Sequence, residues 1–238
     1  MTKASRFFSA GFHREAAILD LEVLGHLSER LGSFMSTQMS TSSLVTDARK
    51  AEANLDRVFN IQITIPEVRK LWEESALLSV AASLLRVPEV VPFYTQTIMK
   101  YPTSTPKKGA IGWHTDYAYW QGAAAPRLIT AWIPFSRVGT GSGGLRYIVG
   151  SHKNGQLRPG FNNPDLTSSE TTVEGHAEVG DVLFHHCMTV HGSAENTSCS
   201  PRLALAVHLI DRSLVPVNLS QCHHSLAWLA DSEPAVAH

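Results

Sequence analysis

Two textures divide this chain. Before about residue 90, apolar residues recur at helical steps: Leu21, Leu24, Leu27 and Leu31, with Glu22, Glu29 and Arg30 on the other face, predict an amphipathic helix. The Ser/Thr-rich run Ser36–Ser43 breaks that period and predicts a loop. Pro66, suited to the first turn of a helix, opens a second helical region. That region runs through Val68, Leu71, Trp72, Leu77, Leu78, Ala81 and Leu85 and ends before Pro88. From about Val90 the pattern changes to short apolar runs bounded by Gly, Pro, Asn and Asp: Tyr94–Met99, Leu128–Ile133, Leu145–Val149, Val182–His186 and Leu203–Ile210. Their spacing is too short for intervening helices, which favours an antiparallel barrel or jelly roll over a parallel sheet. The polar stretch Ser151–Glu178, with Gly155, Pro159, Gly160 and Pro164, is expected outside the core.

Composition narrows the setting. At 238 residues the chain has room for one well-buried domain. The expected layout is a mostly helical 1–89, a jelly-roll core over 90–212 and a C-terminal tail over 213–238. With 43% hydrophobic and 17% charged residues it is globular, and a net charge of −1 argues for neither nucleic acid nor an anionic membrane as partner. Cys187, Cys199 and Cys222 cannot all pair and show no C-x-x-C spacing, which points to free thiols in a reducing compartment. No apolar stretch follows the N-terminal basic residues, so a cytoplasmic location is expected, with neither signal peptide nor membrane span.

The candidate chemistry lies in the histidines. There are twelve, so any one of them is weak evidence. His114-Thr115-Asp116 stands out because residues two apart on a strand share a face and could grip one ion from one extended segment. Trp113, Tyr117, Tyr119 and Trp120 crowd around it as possible pocket walls, and His191 offers a third ligand downstream. Two imidazoles and a carboxylate on one side of an ion leave about three positions open, which suits iron(II) and dioxygen. The bland reading of the triplet is a hydrogen-bonded strand pair. His13-Arg14-Glu15 and His176-Ala177-Glu178 compete with it. The first is expected in a helix, where residues two apart do not share a face. The second lies near His185, His186 and His191 in sequence and could serve a zinc site.

Five blocks in order carry a resemblance: Gly112-Trp113-His114-Thr115-Asp116; Leu128 to Pro134; Gly143 to Lys153; Gly180 to Phe184; and His191-Gly192-Ser193 through Asn196 to Arg202 and His208. Over roughly residues 90 to 210 the chain resembles the phytanoyl-CoA dioxygenase-like family of iron(II)- and 2-oxoglutarate-dependent oxygenases. The resemblance implies a mainly β protein with N-terminal helices, built on a double-stranded β-helix (a cupin-like jelly roll). It implies Fe(II) on His114, Asp116 and His191, with 2-oxoglutarate and O2 as co-substrates and a small organic molecule as substrate. Arg202 would pair with the distal carboxylate of 2-oxoglutarate. A guanidinium suits that task, and Ala204 and Ala206 on the same strand face leave room. Thr130, Trp132 and Gln96 resemble positions lining the co-substrate pocket, while Tyr117, Tyr119 and Trp120 are expected to shape the substrate entrance. Gly139–Gly144 is expected as a turn, His152 and Lys153 as structural. The reading that competes with an oxygenase of natural-product biosynthesis is a non-oxidative, metal-binding cupin-like isomerase or binding protein.

Overall fold

The structure, a computed structural model, describes residues 1–38, 55–104, 109–119, 127–154 and 171–215. Numbered along the chain, the larger antiparallel sheet runs in the order β1 (Phe12–Glu15), β8 (Val182–His186), β5 (Leu128–Pro134), β10 (Arg202–Asp211), β3 (Val90–Lys100) and β2 (Leu55–Phe59). The smaller one runs β4 (Ile111–His114), β9 (His191–Ser193), β6 (Leu145–Ile148) and β7 (Thr172–Glu174). Facing sheets of this kind make the jelly roll that the strand spacing predicts.

All ten residues of β10 are buried, because each face of this central strand is covered differently. Leu203, Leu205, Val207 and Leu209 join Ile129, Ala131, Ile133, Val182 and Phe184 in a core closed by the N-terminal helices. Those helices are α1 (Lys3–Ala10) through Phe7, α2 (Leu21–Gln38) through Leu24, Leu27 and Leu31, and, further along the chain, Leu77–Leu85 through Leu77 and Ala81. The alternate residues of β10 face the interior of the roll. Register puts Arg202 opposite Lys100, Ala206 opposite Gln96 and Trp132, and His208 opposite Tyr94 and Thr130. Phe12 stacks on Tyr147 at 4.6 Å between ring centroids and 3° between planes, tying the two sheets together.

Several elements differ from expectation. The 1–89 region contains β1 and β2, both in the larger sheet. Neither carries an apolar run; β1 exists because its residues 12–15 pair with 185–182 of β8. Helix α2 continues through Ser36 and Thr37, whose hydroxyls donate to the carbonyls of Gly32 and Ser33 at 2.9 Å, four residues back. The rest of the expected loop, to Ser43, lies outside the described residues. The helical region from Pro66 is broken into a 3-10 turn at Pro66–Arg69, α4 (Lys70–Glu73) and α5 (Leu77–Leu85), after α3 (Ile61–Thr64). No helix among the described residues is long and apolar enough to cross a membrane.

Candidate metal centre

Strands β4 and β9 lie side by side with His114 directly opposite His191. Gly192 permits that approach: a Cβ there would sit 2.8 Å from the Ile111 carbonyl oxygen and 3.1 Å from that of Gly112. Strand β4 stops at His114, and Asp116 opens a 3-10 turn over Asp116–Tyr119. One extended segment therefore does not present both residues, as the triplet alone suggests. The turn swings Asp116 back toward the two rings. Asp116 Oδ1 lies 3.5 Å from His191 Nε2 and 3.9 Å from His114 Nε2. Among the described residues these three form the one group of His, Cys, Asp or Glu with the geometry to hold an ion.

Hydrogen bonds set the protonation of each ligand. His114 Nδ1 donates to the Gly112 carbonyl and His191 Nδ1 to the Thr189 carbonyl, both at 2.9 Å. A carbonyl only accepts, so each ring carries its proton on Nδ1 and turns an Nε2 lone pair inward. Burial, with the neighbouring His191, lowers the His114 pKa to about 4; burial, with His185, does the same for His191. Both rings are neutral and ready to ligate near pH 7. Asp116 is buried, which alone would raise its pKa, but His191 and a hydrogen bond from His185 outweigh burial and hold the carboxyl well below its ordinary value. Its other oxygen, Oδ2, accepts from the Thr130 hydroxyl at 2.6 Å and from His185 Nε2 at 3.0 Å. The Thr130 hydroxyl in turn accepts from His208 Nδ1 at 2.9 Å.

Toward the other end of β10 the interior is lined by two basic side chains. Arg202 is 3% exposed and Lys100 fully buried. Arg202 Nη2 donates to the Gly143 carbonyl at 2.8 Å, and its guanidinium lies 5.2 Å from the centre of the Trp132 ring. Its Nε and Nη1 are buried without a hydrogen-bond partner among the described residues. Lys100 donates to the Ser193 hydroxyl and to the Ala194 carbonyl. Burial lowers the Arg202 pKa to about 9; burial, with Arg202 close by, lowers that of Lys100 to about 6. Unspent guanidinium donors in a low-dielectric interior are what a carboxylate guest would satisfy.

The remaining sequence candidates fall in different places. Thr130 and Trp132 do share the interior face, but the Thr130 hydroxyl serves Asp116 while Trp132 lies under Arg202. Gln96 is half-buried on the same face of β3. Tyr117 packs against the cluster of Phe93, Leu128, Cys187, Met188 and Ile210. Tyr119 ends the 3-10 turn, and Trp120 lies outside the described residues. His13 and Glu15 are in a strand rather than a helix, so they do share a face and meet at 2.9 Å, with Lys3 also on Glu15. His176 is exposed beside Glu174 at 3.8 Å, and His186 accepts from the Met188 backbone, so neither joins His191. Gly139–Gly144 is a turn. His152 and Lys153 bond the carbonyls of Phe8 and Ser9 at the end of α1, a structural role. Sequence reasoning passed over Lys100 and left His185 and His208 without a role. His208 carried one signal, its period-two alignment with Arg202, whereas Lys100 and His185 meet Arg202 and Thr130 only through the strand register.

Comparison with known proteins gives a consistent setting. The model of the family described as "Phytanoyl-CoA dioxygenase (PhyH)" matches residues 9–204. Peroxisomal phytanoyl-CoA dioxygenase of Bos taurus is 27% identical over 174 residues, covering 68% of this chain and 46% of that protein. The 1-deoxypentalenic acid 11-beta-hydroxylase of Streptomyces exfoliatus is 30% identical over 150 residues, covering 55% of this chain and 51% of that protein. The matches thus span about half the length of these curated relatives. Among solved structures, EctD from S. alaskensis with 2-oxoglutarate and 5-hydroxyectoine superposes with a TM-score of 0.74 at 22% identity, over 89% of this chain and 76% of that one. The epimerase SnoN in complex with Fe3+, alpha ketoglutarate and nogalamycin RO superposes with a TM-score of 0.71 at 22% identity, over 88% of this chain and 82% of that one. These likenesses establish the fold.

Proposed function

Because the chain belongs to the phytanoyl-CoA dioxygenase family, we propose that it is an iron(II)- and 2-oxoglutarate-dependent dioxygenase acting on a small organic molecule. One observation carries the assignment: two Nε2 lone pairs and Asp116 Oδ1 converge at one point of an interior whose far end holds a buried guanidinium with unspent donors. The donor set fits the metal. Two neutral imidazoles and one carboxylate are the facial arrangement that leaves positions for a chelating co-substrate and dioxygen.

His114, Asp116 and His191 would hold the iron, and Arg202 the distal carboxylate of 2-oxoglutarate through Nε and Nη1. Trp132 supports the guanidinium plane from below. Gln96, half-buried on the same interior face, is a further lining position. Iron(II) and 2-oxoglutarate, when bound, supply the oxidising chemistry, consuming dioxygen and releasing succinate and CO2 as the substrate is oxidised. The chain's own contribution is orientation: the Gly112 and Thr189 carbonyls fix both ring tautomers, and Asp116 and His191 are buried. Tyr117 and Tyr119 belong to the turn that carries Asp116, and that position in the chain supports assigning them to the substrate entrance. Hydroxylation, desaturation, epoxidation and rearrangement are all open to such a centre. A role in natural-product biosynthesis is favoured by the hydroxylase relative and by the nogalamycin-bound neighbour.

Anaerobic addition of iron(II) and 2-oxoglutarate tests the reading. A visible metal-to-ligand charge-transfer band should appear, and Asp116→Ala should abolish both the band and succinate formation. No band at saturating ligand, with metal nonetheless bound, would favour a non-oxidative cupin-like metalloprotein. Unchanged succinate formation in Asp116→Ala would remove the triad.

A further inference from the structure

His185 sits on β8, 1% exposed, directly across from Thr130 on β5. Its ring lies 4.2 Å from that of His191, centroid to centroid. Its Nε2 meets Asp116 Oδ2 at 3.0 Å, while its Nδ1 is buried without a hydrogen-bond partner among the described residues. A histidine kept for packing would not be expected to spend its hydrogen bonding on one oxygen of one acid. Thr130 does the same from the neighbouring strand at 2.6 Å, steadied by His208. Two donors therefore converge on Oδ2, while Oδ1 faces both Nε2 atoms.

We propose that His185, together with Thr130, is a positioning residue that holds Asp116 to one-oxygen ligation of the metal. This rests on the iron and 2-oxoglutarate reading of the site. An octahedral ion has six positions. Two imidazoles and one carboxylate oxygen take three, and a chelating 2-oxoglutarate takes two, leaving one. Were Asp116 to chelate through both oxygens, the six would be filled and none would remain for dioxygen. Bringing Oδ2 to the metal means giving up two hydrogen bonds to a carboxylate inside the roll, so the network disfavours it. The effect is conditional: it matters only when 2-oxoglutarate is present, because without it a chelating Asp116 still leaves two positions open.

That condition is the test. Nitric oxide serves as the dioxygen surrogate, titrated anaerobically into iron(II)-loaded protein with and without saturating 2-oxoglutarate, with binding read by electron paramagnetic resonance. His185→Leu and Thr130→Val should bind iron(II) about tenfold to a hundredfold more weakly than wild type. At saturating iron they should bind nitric oxide as wild type does when 2-oxoglutarate is absent, and at least about tenfold more weakly when it is present. His185→Gln, whose amide can donate where Nε2 did, should restore wild-type behaviour, and Thr130→Val carries the test if His185→Leu does not fold. Equal weakening with and without 2-oxoglutarate would mean general damage and would overturn the proposal, as would wild-type nitric oxide binding by His185→Leu in both conditions. Failure of the wild-type protein to bind iron(II) and 2-oxoglutarate would instead remove the parent reading, and this proposal with it.

Discussion

Lys100 and Arg202 face each other on neighbouring strands, two buried basic side chains whose hydrogen bonds among the described residues go to hydroxyl and carbonyl oxygens. Their burial has a consequence for pH. An unfolded chain keeps the Lys100 proton up to its ordinary value near 10.5, while the folded protein releases it at about 6. Between those limits the unfolded state binds more protons, so stability rises with pH. The melting temperature of ligand-free protein should climb between about pH 6 and about pH 9, and Lys100→Met should flatten that climb. Arg202 has a different signature, since its proposed guest is the co-substrate. Arg202→Gln should raise the KM for 2-oxoglutarate by about tenfold to a hundredfold and leave iron(II) affinity unchanged, which steady-state kinetics and a metal titration separate.

Among the elements, the β4–β9 pair makes the site, because its register sets His114 opposite His191. Gly192 lets the two backbones meet. Gly192→Ala would press a methyl group onto the Ile111 and Gly112 carbonyls, costing about 1–3 kcal/mol, so both melting temperature and iron(II) affinity should fall. Gly25 in α2 is the counterexample: it is exposed, with nothing within 4 Å of an added Cβ. Gly25→Ala should therefore stabilise by about 0.5–1 kcal/mol through helix propensity, seen as a small rise in melting temperature with turnover unchanged. Legibility also varied by element. Strands β3, β5, β8 and β10 announce themselves through apolar runs long enough to show a period. Strands β1, β7 and β9 are three or four residues each and owe their existence to a partner strand. No local pattern reveals such segments.

In the molecule as a whole, the site straddles the sheets. His114 and His191 belong to the smaller sheet, whereas Thr130 and His185, which hold Asp116, belong to the larger. A bound ion would join the two layers, adding to the Phe12–Tyr147 stack that already spans them. Ligands that bind only the folded state stabilise it by mass action. Cobalt(II), as an oxygen-stable metal, at about a hundred times its apparent dissociation constant should add about 2.7 kcal/mol. In a chain of this size that is a rise of about 5–10 °C in melting temperature, which Asp116→Ala should lose.

The residue pattern was sufficient for an antiparallel barrel or jelly roll and for the helical lead-in, which rest on local periodicity; it offered His114, Asp116 and His191 as candidates, and the family resemblance separated them from their rivals. The tertiary structure decided how the ligands are presented. Asp116 reaches its place by a 3-10 turn rather than along a strand, His13 and Glu15 pair in a strand rather than a helix, and the Thr130 hydroxyl donates to Asp116. It also recruited His185, His208 and Lys100, which are remote in sequence from the residues they meet. The reason is physical: side chains on different strands become neighbours only through register and sheet packing. The His114-x-Asp116 triplet names its ligands, but only the fold determines which of their atoms face one another.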